Sequence, residues 1–330
     1  MAVAEPVHSG LESVTLPVSK PTGSKAEMSQ IHRLVVFGAT GTQGHPVVDA
    51  ALEAGYSVRA VTRDPAAAEQ RLSQRAELFE ADLLEADTVA AALEGMDAVF
   101  FHLPIMPQSD EAVAAVDHLL TAIRASSVQK LVFTTSAWSA DAMPGGDFVL
   151  GLRGVTEAML ASGVDTVVLR PTLYLANLVW PNIIREIREF GRLTYPPLDR
   201  HRRLNWTATE DQATLVVAAL GADAAGEIID IASPQAVTGP ELCQMLSGVY
   251  GREVHYAPQT IDEFADTLSH MAGSAEVGRS VAALYAGIDQ LDGDGPLVDT
   301  DALQRRFGVR LTPVSEWVED RLGALLSLYG

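Results

Sequence analysis

The chain has 330 residues, 48% of them hydrophobic and 20% charged, with a formal net charge of −20 from 23 basic and 43 acidic side chains. That composition supplies a sizeable globular core, in one large α/β domain or a large domain with a smaller one. The acidity works against phosphodiester backbones and anionic lipid, so no nucleic-acid or membrane partner is expected, and any phosphate site must be local. A single cysteine, Cys243, excludes an internal disulfide, no Cys/His cluster has metal-site spacing, and no metal is expected. Cys243 reads as a small buried hydrophobe. Residues 1–30 lack the apolar stretch of a signal peptide and are expected to be a mobile tail. No run approaches the roughly 18 apolar residues of a membrane span, and a cytoplasmic location is expected.

From residue 33 the chain alternates strand and helix patterns. "RLVVFG" is a short apolar strand, and "HPVVDAALEAG" a helix with Val47, Val48, Ala51 and Leu52 on one face and Gly55 as its stop. "YSVRAVTR" is a second strand, "PAAAEQRLSQ" a helix, "AELFEAD" a third strand and "EADTVAAALEG" a helix closed by Gly95. "DAVFFHLP" is a fourth strand, followed by the long helix "SDEAVAAVDHLLTAIRAS" with Ser109 or Asp110 at its cap. "KLVFTTSA" is the fifth strand, "FVLGLRGVTEAML" a helix ended by Gly163, and "DTVVLRPT" the sixth strand. This rhythm predicts a doubly wound parallel sheet with helices on both faces, and the continuous apolar strands fit burial on both sides. After about Pro171 it loosens. "NIIREIREF" and "TEDQATLVVAAL" are helices, "GEIIDIAS" a strand, "TGPELCQMLSGVYG" a helix capped by Thr238, "REVHYAP" a strand, and the remainder is mostly helical. Residues 31–172 are expected to form the dinucleotide-binding domain. Residues 173–330 are expected to form a smaller, interleaved substrate-binding cap.

"VVFGATGTQG" sets Gly38, Gly41 and Gly44 between the first strand and the first helix. One glycine allows the tight turn, one lets backbone approach a pyrophosphate, and one lets helix pack on strand. Thr40, Thr42 and Gln43 complete the loop, and the helix start offers free N–H groups to the anion. The strand before it and the second strand about 20 residues on are the context such a loop requires. The second strand ends at Thr62 and Arg63, where an acid would favour NAD(H). A guanidinium there suits a 2′-phosphate, so NADP(H) is favoured. Asp82 and Leu83, after the third strand, sit where an adenine would lie, and Asp82 serves equally as a helix cap. His102, at the end of the fourth strand, is placed to donate a proton near neutral pH or to pack beside the pyrophosphate.

Together, "FGATGTQG", "RAVTRDP", "ADLLEADTVAAALEGMDAVFF", "SGVDTVVLRPTLYLANL" and "VTGPELCQMLSGVYGREVHY" resemble the NmrA-like family of atypical short-chain dehydrogenase/reductases. The resemblance implies a Rossmann sheet, an NADP(H) site and a cleft under the C-terminal cap. It leaves the activity open, because the family includes quinone and enone reductases and also redox-sensing regulators that bind cofactor without turnover. The resemblance places a tyrosine at Val149 and a lysine at Arg153, four residues before Glu157. The usual proton donor is therefore absent, and Arg153 cannot act as a general acid, though it can bind the nicotinamide ribose or stabilise charge on a substrate oxygen. Ser136 aligns with a serine that faces the nicotinamide, or else its hydroxyl is satisfied by local backbone. Arg153, Ser136 and His102 are the candidate catalytic residues. Tyr174 and Asn177 fall where the family's substrate cleft begins, with Trp138, Trp180 and Trp206 as candidate walls. "DRHRR" at Asp199–Arg203 reads as a solvated loop.

The reading that follows is an NADPH-dependent reductase acting on an apolar conjugated small molecule such as a quinone, an enone or a ketone-bearing natural product. The alternatives are an NADP(H)-sensing regulatory protein and a cyclising or dehydrating enzyme on the same fold. A homodimer or a regulatory protein partner is compatible with the first two.

Overall fold

The computed structural model describes residues 31–104, 109–139 and 147–327. The tail expected at residues 1–30 lies outside these, as does the Ser109 side chain expected to cap a helix. The first half of the chain alternates β1 (Arg33–Val36), α1 (Gly44–Glu53), β2 (Ser57–Thr62), α2 (Pro65–Ala68), β3 (Glu77–Glu80) and α3 (Ala86–Leu93). It continues with β4 (Ala98–His102), α4 (Ser109–Ala125), β5 (Lys130–Thr134), α5 (Asp147–Leu160) and β6 (Asp165–Pro171). After β7 (Leu173–Tyr174) come a 3-10 turn (Leu175–Val179), α6 (Pro181–Phe190), β8 (Arg192–Leu193), β9 (Trp206–Thr207), α7 (Thr209–Gly221) and β10 (Ile228–Ile231). The chain ends with α8 (Gly239–Tyr250), β11 (His255–Tyr256), α9 (Ile261–Ala272), α10 (Ala275–Asp289), α11 (Thr300–Phe307), α12 (Val314–Glu316), a π-helical stretch (Trp317–Leu322) and α13 (Gly323–Ser327).

Seven strands pair in the order β10-β6-β5-β4-β1-β2-β3, all parallel. Side chains alternate in direction along a strand, so each central strand feeds two cores. Leu34 and Val36 of β1, Phe100 of β4 and Val132 of β5 face one side, where Val47, Val48 and Ala51 of α1 and Leu215, Val216 and Ala219 of α7 cover them. Val35, Val99, Phe101, Leu131 and Phe133 face the other, under α3 and α4. The order of strands reverses between β1 and β4, so the loops after these two strands part there, and such a switch point is where open α/β sheets bind ligands.

One expectation is corrected. The helix expected across residues 65–74 stops at Ala68. Asp64 caps it, accepting from the Ala67 N–H at 2.9 Å, but beyond Ala68 only Leu72 of that stretch is buried. Without an apolar stripe, packing cannot extend so short a helix. The strand read in "GEIIDIAS" is β10, paired with β6 through Ile228 opposite Val168. The main sheet layer therefore draws α7 and β10 from beyond residue 172, and from Ile31 onward the chain is one compact unit.

A third core belongs to the C-terminal elements. Ile183, Ile184 and Ile187 of α6, Leu242 and Leu246 of α8, Phe264 of α9, Tyr285 of α10 and Trp317 meet around the buried Tyr195 and Trp206. Capping boxes start α8 and α9, where Thr238 and Thr260 exchange hydrogen bonds with Glu241 and Glu263. Cys243 is buried here, and desolvation pushes its thiol up to about 12, which leaves it unreactive.

Asp211 of α7 ties these layers together. Its carboxylate accepts from the Ser233 hydroxyl after β10 and from the Thr312 N–H at 3.0 Å. Burial nonetheless pushes its pKa up to about 6. The folded state therefore holds a proton on Asp211 between about pH 4 and 6 that the unfolded chain releases, so this group's contribution to stability falls as pH rises through that window. Asp211→Asn should lose that dependence. Urea unfolding at pH 4, 5, 6 and 7 should show the wild type weakening relative to Asp211→Asn as pH rises, and parallel profiles would contradict this.

Candidate functional site

β1 runs into a loop whose shape depends on missing side chains. The chain turns at Gly38, which has φ +65°, and the Gly41 N–H closes the turn on the Gly38 carbonyl at 2.9 Å. A Cβ on Gly44 would lie 2.2 Å from that same carbonyl oxygen, so only glycine lets α1 start this close to β1. Thr40 is half-buried and Thr42 exposed along the rim. Gln43 stands at the N-cap without capping the helix through its side chain, and no carboxylate lies in the first turn of α1. The positive end of the helix therefore faces the loop uncompensated.

His102 closes over this loop from the end of β4. A Cβ on Gly38 would sit 2.6 Å from its Nε2. Both ring nitrogens are buried with no hydrogen-bond partner, and burial pushes the imidazole down to about 4, so it is neutral at physiological pH. A buried polar group of this kind normally finds a partner. A glycine cradle, an open helix start and a neutral imidazole fit a dinucleotide's pyrophosphate and ribose. The depressed pKa of His102 makes it a poor source of protons at neutral pH.

Just past β2, Arg63 is exposed and makes no hydrogen bond or ion pair among the described residues. Arg59 is engaged elsewhere. Its guanidinium donates to the carbonyls of Ala92 and Glu94 and pairs with Glu77 at 3.1 Å. Asp82 shapes the turn into α3, with its Oδ1 accepting from the Leu84 N–H at 2.9 Å. The Leu83 carbonyl meets His118 Nδ1 at 2.9 Å. Arg202 and Arg203 are likewise structural, Arg202 on Asp289 and Arg203 on Glu241.

At the other end of the site the loop is fastened to the rest of the molecule through Gln43. Its Nε2 donates to Ser136 Oγ at 3.0 Å, and its Oε1 lies 3.0 Å from the Tyr174 hydroxyl. Tyr174 also reaches Gln212 Oε1 of α7 at 2.6 Å. Ser136 itself is in the left-handed region, with φ 61°. Conformations of this kind are held only where surrounding contacts over-determine them. Burial raises the Tyr174 phenol far above its ordinary value, so it stays protonated. Gln212 has no motif to announce it. Its only signal is an amide in the apolar run "DQATLVVAAL".

The remaining site candidates are placed as follows. Val149 is fully buried, and Arg153 is half-buried with its Nε donating to the Ser139 carbonyl at 3.3 Å. Asn177 Nδ2 donates to the Tyr195 hydroxyl at 2.8 Å, and the Trp180 ring lies 5.4 Å from that of Tyr195. Trp138 packs on the same core, and Trp206 lies inside it. Tyr174 and Trp206 are buried, and Trp138 and Trp180 are half-buried against this core. An open apolar groove of about 510 Å³ lies between α4, α5 and α10, reached from Leu103 and Pro104 just past His102. Among the described residues no cluster of His, Cys, Asp or Glu can hold a metal ion, and no helix is long and apolar enough to cross a membrane.

The Tyr174 hydroxyl is the nearest donor to two glutamine oxygens. Tyr174→Phe should leave them only the longer contacts from Ser136, Gln212 Nε2 and Thr134, and lower stability by about 1 kcal/mol. Urea unfolding checks this, and an unchanged midpoint would show that water replaces the hydroxyl.

Comparison with known proteins agrees with this geometry. Residues 30–297 match the NmrA-like family. An NAD(P)H azoreductase of Xenophilus azovorans is 29% identical over 257 residues, covering 77% of this chain and 86% of that protein. Quinone oxidoreductase 2 of Escherichia coli (strain K12) is 26% identical over 271 residues, covering 76% of this chain and 90% of that protein. The crystal structure of the Citrobacter sp. triphenylmethane reductase complexed with NADP(H) superposes with a TM-score of 0.71 at 20% identity, covering 87% of this chain and 98% of that one. The glycine loop, the seven-stranded parallel sheet and the family match over most of the sequence lead to one assignment: this chain belongs to the NmrA-like family.

Proposed function

We propose that the chain is an NADPH-dependent reductase that passes hydride to an apolar, conjugated acceptor such as a quinone, an enone or a ketone-bearing natural product. The observation that carries this reading is the glycine loop beneath the neutral, unpartnered His102, with the unpaired Arg63 at the end of β2. The loop amides and His102 hold the pyrophosphate and ribose, and Arg63 takes the 2′-phosphate through charge-assisted bonds. NADPH supplies the hydride when bound. The names of two relatives, an NAD(P)H azoreductase and a quinone oxidoreductase, support the reaction class. A cytoplasmic setting, where NADPH is available, goes with it.

The residues near the reaction end supply no general acid. Val149 occupies the position of the family's tyrosine, and the guanidinium of Arg153 is no general acid. Ser136 and Arg153 are left to polarise an acceptor oxygen, a role that suits acceptors whose reduced form is a stable anion that water can protonate. The same deficit favours the second reading, a regulator that binds NADP(H) and changes partner with the cofactor ratio.

The two readings separate in one assay. With NADPH and a panel of quinones, a reductase consumes the reduced-nicotinamide absorbance, whereas tight NADPH binding with no turnover on any acceptor overturns the lead reading. Arg63→Ser should weaken NADPH binding by about 2 kcal/mol, roughly thirtyfold, and leave NADH binding unchanged. Equal losses for both cofactors in calorimetric titration would remove Arg63 from the site. Arg153→Ala should lower quinone turnover by about tenfold or more at an unchanged unfolding midpoint. Unchanged turnover would mark Arg153 as a tether for the Ser139 carbonyl.

A further inference from the structure

Ser136 is the outer end of a polar network. Behind it stand Gln43 of the glycine loop, Thr134 of β5, Tyr174 of β7 and Gln212 of α7. Thr134, Tyr174 and Gln212 are buried, whereas Gln43 and Ser136 are half-buried. A buried amide or phenol is costly unless it is hydrogen-bonded, and an apolar side chain of similar size carries no such cost. The polar identity of Tyr174 and Gln212 therefore asks for a reason beyond packing.

The network has a direction, set by which groups can donate. Burial raises the Tyr174 phenol far above its ordinary value, so it keeps its hydrogen. Two carbonyl oxygens are in reach of that hydrogen, Gln212 Oε1 at 2.6 Å and Gln43 Oε1 at 3.0 Å. When it goes to Gln43, it holds that carbonyl inward directly. When it goes to Gln212, the Gln212 amide holds the same carbonyl through its Nε2, 3.5 Å from Gln43 Oε1. Either way the Gln43 oxygen faces inward, and its NH2 is turned onto Ser136, with Nε2 3.0 Å from Oγ. A hydroxyl that accepts this bond keeps its own hydrogen for another acceptor. With the amide reversed, Gln43 Oε1 would take that hydrogen, and Ser136 would offer the site only lone pairs. The left-handed backbone of Ser136, at φ 61°, is the conformation in which Oγ meets Gln43.

We propose that Tyr174 and Gln212 are positioning residues for the reduction: they fix the amide of Gln43 so that Ser136 keeps its hydroxyl hydrogen for the acceptor oxygen. This rests on the reductase reading and deepens it, since a site without a general acid depends on the hydrogen-bond donors it has. The acceptor takes a hydride, and the reduced nicotinamide is oxidised. An electron pair is displaced onto the acceptor oxygen, and the Ser136 hydrogen bond meets that charge without giving up its proton. The proton that completes the product comes from water. Neither Tyr174 nor Gln212 touches the acceptor, and both act through Gln43.

The test is a mutant cycle read in the single-turnover rate of NADPH oxidation by 1,4-naphthoquinone, beside NADPH affinity from calorimetric titration. Ser136→Gly removes the hydroxyl and tolerates the positive φ, and it should slow hydride transfer by about tenfold or more. Tyr174→Phe/Gln212→Met removes both inner donors together, and it should slow the step by a similar factor with NADPH affinity unchanged. Added to Ser136→Gly, the pair should cost nothing further, because it acts only through that hydroxyl. Tyr174→Phe alone should slow the step by about threefold and show the same dependence on Ser136, which keeps the test open if the double variant folds poorly. Losses that multiply in the combined variants would overturn the proposal. So would a loss confined to NADPH affinity, because the network would then serve only to hold the loop. Multiplying losses in a protein that does reduce the quinone sink the positioning role and spare the reductase reading. A wild type that oxidises NADPH with no acceptor sinks both.

Discussion

The site depends on the close approach of α1 to β1, where the Gly38 carbonyl oxygen stands in the space that a Gly44 side chain would need. That contact sets where the first helix begins and therefore where its free N–H groups point. It also sharpens the turn at Gly38, and the turn in turn leaves room for the His102 ring. A methyl group at any of these places would push strand, helix and imidazole apart together. The loop then carries its position outward through Gln43, which links it to Ser136 at the end of β5, to Tyr174 and, through Tyr174, to Gln212 in α7. Residues far apart in sequence are in this way held to the geometry of three glycines.

The electrostatics follow from the same arrangement. A chain with net charge −20 cannot attract an anionic cofactor by its overall field. The attraction has to be local, and in the proposed reading it comes from backbone amides at the start of α1, an imidazole kept neutral by burial and the exposed guanidinium of Arg63. Elsewhere the arginines are engaged in holding the fold, as Arg59 does between β2 and α3 and Arg202 does beside α10.

Much of this was legible in the sequence, and the reasons are physical. Strands buried on both faces must be apolar throughout, so β1, β4, β5 and β6 stood out as runs. The glycine spacing announced the loop because each glycine answers a steric demand of a strand–turn–helix unit. What escaped were features decided by distant partners. α2 is short because nothing packs on residues 69–74 except through Leu72, and β10 joins the main sheet because β6 offers it an edge. Local pattern carries neither fact. Of the aromatics read as candidate cleft walls, Trp206 is buried against Tyr195, because an aromatic in a cleft and one in a core have the same sequence signature. Gln212 gave no periodic signal at all.

The central claim is that the loop beneath His102, with Arg63, is the seat of NADPH. Amide hydrogen exchange compared between the free and the NADPH-saturated protein tests it most directly. The account predicts slowed exchange across residues 38–45 and at residues 62–64 and 102–104, with NADH leaving residues 62–64 unprotected. Protection that spares this loop would contradict it.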